Sequence, residues 1–187
     1  MSVRKEKTAL PKSKAGKQHI TGIIELTRKA VGYLPWPLNE ARGKPNEPEK
    51  EDIEIQTANL SGALNGDEVE VEVIGFAPSR PSVGGRGVKV PSRFQGKVVK
   101  VVSRAKEDFV CTIKSDVAVP DDIKFYKPIT IAKGAYGEGE KVLMHLESFD
   151  GSIAKGTVLE HLGRAGEHRV EMNAIVLEHG FRTSFSP

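Results

Sequence analysis

The sequence predicts an all-β protein, two tandem five-stranded barrels followed by a short C-terminal helix. Three observations lead there. Residues 61–73 form a small-residue turn that closes on Gly66-Asp67 and passes straight into alternation of Glu68, Glu70 and Glu72 with Val69, Val71 and Val73. Period-2 alternation of this kind marks a strand with one face buried. Residues 134–146 repeat the order in weaker form, with Gly139-Glu140 standing for Gly66-Asp67 and Val142 and Met144 alternating beyond it. Each half, finally, divides into five short apolar runs bounded by turn-forming residues, the pattern of a small curled sheet.

In the first half the runs are 19–26, where Ile20, Gly22, Ile24 and Leu26 alternate with polar partners, then 31–34, stopped by Pro35 and Pro37, then 52–56, 68–74 and 95–102. Pro37, Pro45 and Pro48 among mixed charges make 37–50 an irregular connection. Residues 77–93 contain Pro78, Pro81, Gly84, Gly85, Gly87 and Pro91, which argues against regular structure there. The second-half runs are 108–113, 117–119, 128–131, 141–146 and 156–162. Gly96, Val98 and Arg104 match Gly156, Val158 and Arg164 at an offset of 60, whereas Gly66 matches Gly139 at an offset of 73, so the loop before the last strand is the shorter one in the second copy. Unequal loops on one architecture predict copies that bind differently, because loops carry function in such barrels. Five consecutive short strands with polar turns read as an OB-type Greek-key barrel. Val170, Ala174, Val176 and Leu177 allow a short helix that Gly180 ends. The expected division is a tail at 1–18, a first barrel at 19–103, a second at 104–169, and a helix with linker at 170–187.

The net charge of +3 is mild but unevenly placed. In the first 19 residues Arg4, Lys5, Lys7, Lys12, Lys14 and Lys17 face only Glu6. That stretch is too poor in apolar groups to repay the entropy of ordering, and it reads as a disordered basic tail. No apolar segment follows its charges, so it is not a secretory signal, and no run approaches the roughly 20 apolar residues of a membrane helix. The single cysteine, Cys111, lies in the apolar run 109–113. It excludes an internal disulfide, suits a reducing cytoplasm, and reads as a buried structural thiol. His19, His145, His161, His168 and His179 lack the ligand spacing of a zinc site. Asp121-Asp122 after Pro120 reads as a turn.

A series of ordered motifs carries a family resemblance. Asp-Ile-Glu-Ile at 52–55, Gly-Ala-Leu-Asn-Gly-Asp-Glu-Val-Glu-Val at 62–71, Gly-Lys-Val-Val-Lys-Val-Val-Ser-Arg at 96–104, Val-Ala-Val-Pro-Asp-Asp at 117–122, Gly-Thr-Val-Leu-Glu-His-Leu-Gly at 156–163 and the Ile175 to Pro187 segment with His179-Gly180 occur in that order. The series resembles the N-terminal part of ribonucleases II and R over about residues 20 to 187. The resemblance implies two cold-shock-type OB domains that precede a large catalytic domain and a terminal S1 domain, and that feed single-stranded RNA into a 3′ to 5′ hydrolytic exonuclease. The implied partners are single-stranded RNA and those further domains, with no membrane, and the implied location is the cytoplasm. Mg²⁺ is implied for the full-length enzyme, whose aspartate cluster has no counterpart in these residues. The chain alone is therefore expected to hold no cofactor and to leave RNA uncut. A standalone RNA-binding chaperone or a protein-interaction scaffold is the alternative.

Cold-shock domains stack bases on aromatics exposed on their second and third strands, beside a cationic track. Where such a second strand reads Lys-Gly-Phe-Gly-Phe-Val, this chain has Lys29-Ala30-Val31-Gly32-Tyr33-Leu34. One stacking ring is kept as Tyr33, the other position is Val31, the outward residue of the third strand is Glu54, and the second copy has Ser115 and Val117 in the ring positions. Trp36 either extends the Tyr33 face by alternation or anchors the core. Arg28 and Lys29 flank the face. The 77–93 loop joins the fourth and fifth strands, a connection OB domains use for nucleic acid. It carries Arg80, Arg86, Lys89 and Arg93 with no carboxylate, and Gly84-Gly-Arg-Gly87 allows backbone amides to approach a phosphate. The expectation is electrostatic capture of RNA with limited stacking.

Overall fold

A computed structural model describes residues 18–36, 52–77, 80–81, 89–90, 93–132 and 136–180. The first unit contains β1 (His19–Ile23), β2 (Glu25–Leu26), β3 (Gly32–Leu34), β4 (Ile53–Ile55), a 3-10 turn at Thr57–Asn59, β5 (Glu68–Ala77), the short β6 (Arg80–Pro81) and β7 (Lys89–Val90), and β8 (Arg93–Ser103). The second contains β9 (Asp108–Lys114), β10 (Val117–Pro120), β11 (Ile129–Thr130), β12 (Glu140–Phe149) and β13 (Ala154–Arg164), followed by α1 (His168–Glu178).

The two units share one topology. The first sheet runs β1-β5-β8-β4-β3-β2, and its two ends are joined through Ile24, the residue between β1 and β2. The second is a closed barrel of order β10-β11-β13-β12-β9. In each, the first strand pairs with the fourth and the third runs parallel to the fifth, at Glu54↔Gln95 and at Ile129↔Ala154. The OB-type barrel expected from the spacing of the runs is therefore present twice, once closed and once as a partly open sheet. Alternation explains the cores directly. Val69, Val71 and Val98 are buried with Ile20, Ile24, Leu34, Ile53 and Ile55 in the first, and Phe109, Cys111, Ile113, Val142, Met144 and Leu146 are buried in the second.

The repeated turn is the same device in both copies. Leu64 N–H donates to Asp67 Oδ2 at 2.8 Å, and Gly137 N–H donates to Glu140 Oε2 at 2.9 Å. Gly66 N–H donates to the carbonyl of Ile24, between β1 and β2, and Gly139 N–H to that of Ile113 on β9. Both glycines have positive φ, 87° and 78°, a conformation in which a Cβ is strained.

Asp67 does something its counterpart does not. It is 1 % exposed and receives Arg104 Nη1 at 2.6 Å and Ala105 N–H at 3.0 Å, while Arg104 also donates to the Gly62 carbonyl at 2.8 Å. The 61–67 turn thereby meets both barrels. Ala63 belongs to the first core and Leu64 to the second. Tyr126 packs against both and donates to the Ala63 carbonyl at 3.3 Å, with burial pushing its phenol up to about 12. Gly62 has φ +80°, and a Cβ there would lie 2.2 Å from the Phe149 carbonyl oxygen of the second barrel.

The helix begins at His168 and Gly180 follows it with φ 77°, as the sequence predicts for its end. It is docked on the second barrel. Val170 and Ala174 are its buried residues, and much of its hold is ionic. The Lys141 ammonium lies 2.5 Å from Asp121 and 3.1 Å from Glu171, and Lys106 lies 2.5 Å from Glu178. Burial pulls the Lys141 pKa down, but its hydrogen bonds and charge attraction to Asp121 and Glu171 outweigh this and the net shift is upward, so the ammonium stays charged. The Glu171 carboxyl is held below the usual glutamate range, first by the Gly166 N–H and then by Lys141. A depressed carboxylate contributes stability that is present above its unfolded pKa and is lost as pH falls through the folded one. Backbone amide protection across α1, corrected for intrinsic exchange, is thus expected to hold level from neutral pH to about 5 and to fall below about pH 4. Loss of protection already at pH 6 would contradict this account.

Candidate nucleic-acid interface

The turn between β2 and β3 is set by Thr27, whose hydroxyl accepts the Val31 N–H at 3.2 Å, and by Thr57, whose hydroxyl donates to the Ala30 carbonyl at 2.7 Å. Arg28 and Lys29 are exposed at its tip. In β3, Gly32 and Leu34 point inward and Tyr33 outward, directly opposite Glu54 of β4. The guanidinium of Arg93 sits 5.0 Å from the centre of the Tyr33 ring, and its Nη1 is 4.0 Å from Glu54 Oε2. Two of the residues expected to touch RNA are thus brought together. Arg93 covers one face of the ring by a cation–π contact and offsets the carboxylate beside it. A base can stack on Tyr33 from the opposite face or by displacing the guanidinium.

Trp36 resolves toward the core. It is 5 % exposed, belongs to the first hydrophobic cluster, and meets Phe94 edge-on at 5.1 Å. Its apolar bulk is worth more inside the barrel than on its face, so it offers no open ring to a base.

The described residues of the 77–93 connection are more regular than its prolines and glycines suggest. β5 and β8 continue as an antiparallel ribbon as far as Ala77↔Arg93, and β6 pairs with β7 beyond them, in register Arg80↔Val90 and Pro81↔Lys89. Proline is tolerated in such a short edge pairing because few ladder bonds are required of it. Arg80 and Lys89 therefore sit on opposing arms of one hairpin, whereas Arg86 and the Gly84 to Gly87 run lie outside the described residues. In the second barrel residues 150–153 alone join β12 to β13, which is the unequal loop anticipated from the offsets.

Two residues absent from the sequence-based set occupy the foot of this ribbon. Phe76 is 49 % exposed and lies directly across from Phe94, ring centres 5.2 Å apart. The available signal was their placement, one aromatic on each side of the basic loop. It was hidden because the strand alternation ends at 74 and resumes at 95.

The second barrel presents no ring at the matching positions. Ser115 lies in an exposed turn with φ 49°, its N–H bound by Glu138 at 2.8 Å, and Val117 is half-buried. A shallow concavity nearby is lined by Lys114, Val117, Val119, Phe125, Tyr126 and Lys127.

The carboxylates and histidines have other partners. Asp121 accepts Thr112 and Lys141, and Asp122 accepts the Lys124 N–H at 2.8 Å. His19 pairs with Glu70, His145 with Asp108 and His161 with Glu140. No group of three or more His, Cys, Asp or Glu among the described residues could hold a metal ion, so they do not fit the Mg²⁺ of a hydrolytic centre. Cys111 is fully buried, and burial pushes its thiol far up, as a structural cysteine requires. No helix among the described residues is long and apolar enough to cross a membrane.

Comparison with known proteins agrees with this architecture. The cold shock domain family matches residues 118–186. Ribonuclease R of Mycoplasma pneumoniae is 27 % identical over 177 residues, covering 87 % of this chain and 22 % of the relative. The apo structure of Mycoplasma genitalium ribonuclease R superposes with TM-score 0.63 at 18 % identity, over 89 % of this chain and 25 % of that one. The same protein in complex with ribose-methylated single-stranded RNA matches equally. A yeast pseudonuclease superposes with TM-score 0.63 at 17 % identity over 87 % of this chain and 25 % of its own. The chain thus spans about a quarter of the length of the relatives it matches. Motif order, the doubled OB topology and these comparisons point the same way: the chain is similar to the N-terminal cold-shock region of ribonuclease R, and residues 118–186 match the cold shock domain family.

Proposed function

We propose that this chain is a single-stranded RNA-binding segment of a ribonuclease II/R-like 3′ to 5′ exoribonuclease, and that it guides RNA toward a catalytic domain not contained in these residues. The observation that carries the reading is the β5–β8 ribbon. It carries strand pairing out to Ala77↔Arg93, with Arg93 against Tyr33, and the segment 77–93 that it brackets holds Arg80, Arg86, Lys89 and Arg93 and no carboxylate. Phosphates would be met by Arg80, Arg86, Lys89, Arg28 and Lys29, and a base by Tyr33 with Arg93. The Mycoplasma genitalium relative is described in complex with single-stranded RNA, which supports the choice of ligand. The work divides between the barrels as their loops do, with capture in the first and the second carrying the helix. A buried Cys111 suits a reducing cytoplasm.

Binding of a short labelled single-stranded RNA should weaken steeply with salt, because each neutralised phosphate releases condensed counterions. Three or more such contacts give a log–log slope of about −2 or steeper. A flat salt response would overturn electrostatic capture. A second reading, a binding module without hydrolysis, is favoured by the occurrence of the same fold in a pseudonuclease. The reading frame downstream of Pro187 separates the two.

A further inference from the structure

We infer that Phe76 is a base-stacking platform for single-stranded RNA, at the foot of the β5–β8 ribbon. The inference rests on the RNA-binding reading and adds a site to it. Phe76 is 49 % exposed and is the one aromatic residue among the exposed large hydrophobic side chains of the described residues. Its orientation is fixed from beneath. Phe76 meets Phe94 at 5.2 Å with planes 66° apart, and Phe94 meets the buried Trp36 at 5.1 Å with planes 75° apart. Three rings in successive edge-to-face contact run from the core to the surface. A ring held this way loses little freedom when a base stacks on it, so more of the stacking energy appears as affinity.

The surrounding charge selects the ligand. Residues 73–106 contain Arg80, Arg86, Lys89, Arg93, Lys97, Lys100, Arg104 and Lys106 and no Asp or Glu. Arg93, Arg104 and Lys106 already face Glu54, Asp67 and Glu178, but the segment itself supplies no carboxylate beside the ring. An open ring in such a segment fits a polyanion that also presents π-faces, which is a single-stranded nucleic acid. A neutral apolar peptide would use the ring but gain nothing from the cations. The ribbon is also two-faced, since successive strand residues point to opposite sides. Phe76 and Phe94 oppose each other on one side, and on the next rung Arg93 opposes Ala77 and reaches Tyr33. Phe76 thus supplies a second ring on a different strand from Tyr33, in a chain whose cold-shock pattern has Val31 in place of the other ring.

The test compares a short oligouridylate with an abasic ribose-phosphate oligomer of equal length, measured by fluorescence anisotropy on the full chain and on Phe76→Leu and Phe76→Trp. Leucine keeps apolar contact with Phe94 and removes the π-face. Phe76→Leu is expected to weaken the base-bearing probe about 10-fold, to leave the abasic probe unchanged, and to be rescued by Phe76→Trp. Equal weakening of both probes would mean a structural role and would overturn the assignment, as would oligouridylate binding within about twofold of wild type. If the unmodified chain binds neither probe, the RNA reading falls with it. If it binds both and Phe76→Leu changes neither, electrostatic capture stands and the Phe76 site alone is refuted.

Discussion

Replacing Asp67 with alanine is expected to destabilise the protein by about 3–5 kcal/mol, the range for breaking a buried ion pair from one side. The carboxylate is 1 % exposed and both its oxygens are used, by Arg104 at 2.6 Å, Leu64 N–H at 2.8 Å and Ala105 N–H at 3.0 Å. Alanine would leave these donors facing a space closed to water, and the Arg104 guanidinium, 19 % exposed, would keep only the Gly62 carbonyl among them as acceptor. A melting temperature lower by about 10 °C follows for a chain of this size. The loss should concentrate where the 61–67 turn meets both cores. In a double-mutant cycle with Arg104→Ala, the second substitution should add little once the first is made, because the two side chains act as one unit. A variant that melts within about 2 °C of the parent would show that the ion pair does not hold the barrels.

Reversing charge in the basic 77–93 segment with Arg80→Glu, Arg86→Glu and Lys89→Glu should weaken single-stranded RNA binding by on the order of 100-fold at low salt. The loss should be similar for different sequences, because phosphate contacts carry no sequence information. The salt slope should flatten by about 2, at roughly 0.7 per contact on a single strand. The melting temperature should stay near that of the parent, since arginine and lysine side chains are almost never fully buried unless paired. Anisotropy titrations at several salt concentrations check all of this. An unchanged slope would remove Arg80, Arg86 and Lys89 from the interface and leave Arg28, Lys29 and Arg93 as its cations.

How far the fold could be read in advance depended on the range of the signal. The alternation of Val69, Val71 and Val73 and the Gly66-Asp67 turn are local, and both are present as expected. The repeat at Gly139-Glu140 was equally legible, and the structure adds that in both copies the acid accepts the backbone N–H three residues upstream. Strand ends were harder. β5 and β8 run on to Ala77 and Arg93 because they pair with each other, and pairing compensates for residues whose own preference for strand is weak. Among the described residues, the ends of an expected irregular loop are therefore paired strand, with Arg80–Pro81 opposite Lys89–Val90 beyond them.

The candidate site divided along the same line. Tyr33, Arg28, Lys29 and the basic loop follow from residue type and position along the strands. Trp36 did not, since a large ring two residues past Tyr33 fits either the face or the core, and only the packing of Phe94 against it shows the core. The contact of Arg93 with Tyr33 and Glu54 joins residues distant in sequence, and Phe76 is conspicuous only once its exposure is known.

Period-2 patterning and turn chemistry were thus enough to reveal two all-β barrels of one design, because each strand buries one face and every tight turn restricts its backbone. Which acid stays with its own turn and which links two barrels could not be read that way. Asp67 and Glu140 occupy the same place in the repeat, and both accept the N–H three residues upstream. Asp67 alone is buried against Arg104, whereas Glu140 pairs with the exposed His161. The difference arises from what each turn packs against, and that is a property of the folded pair.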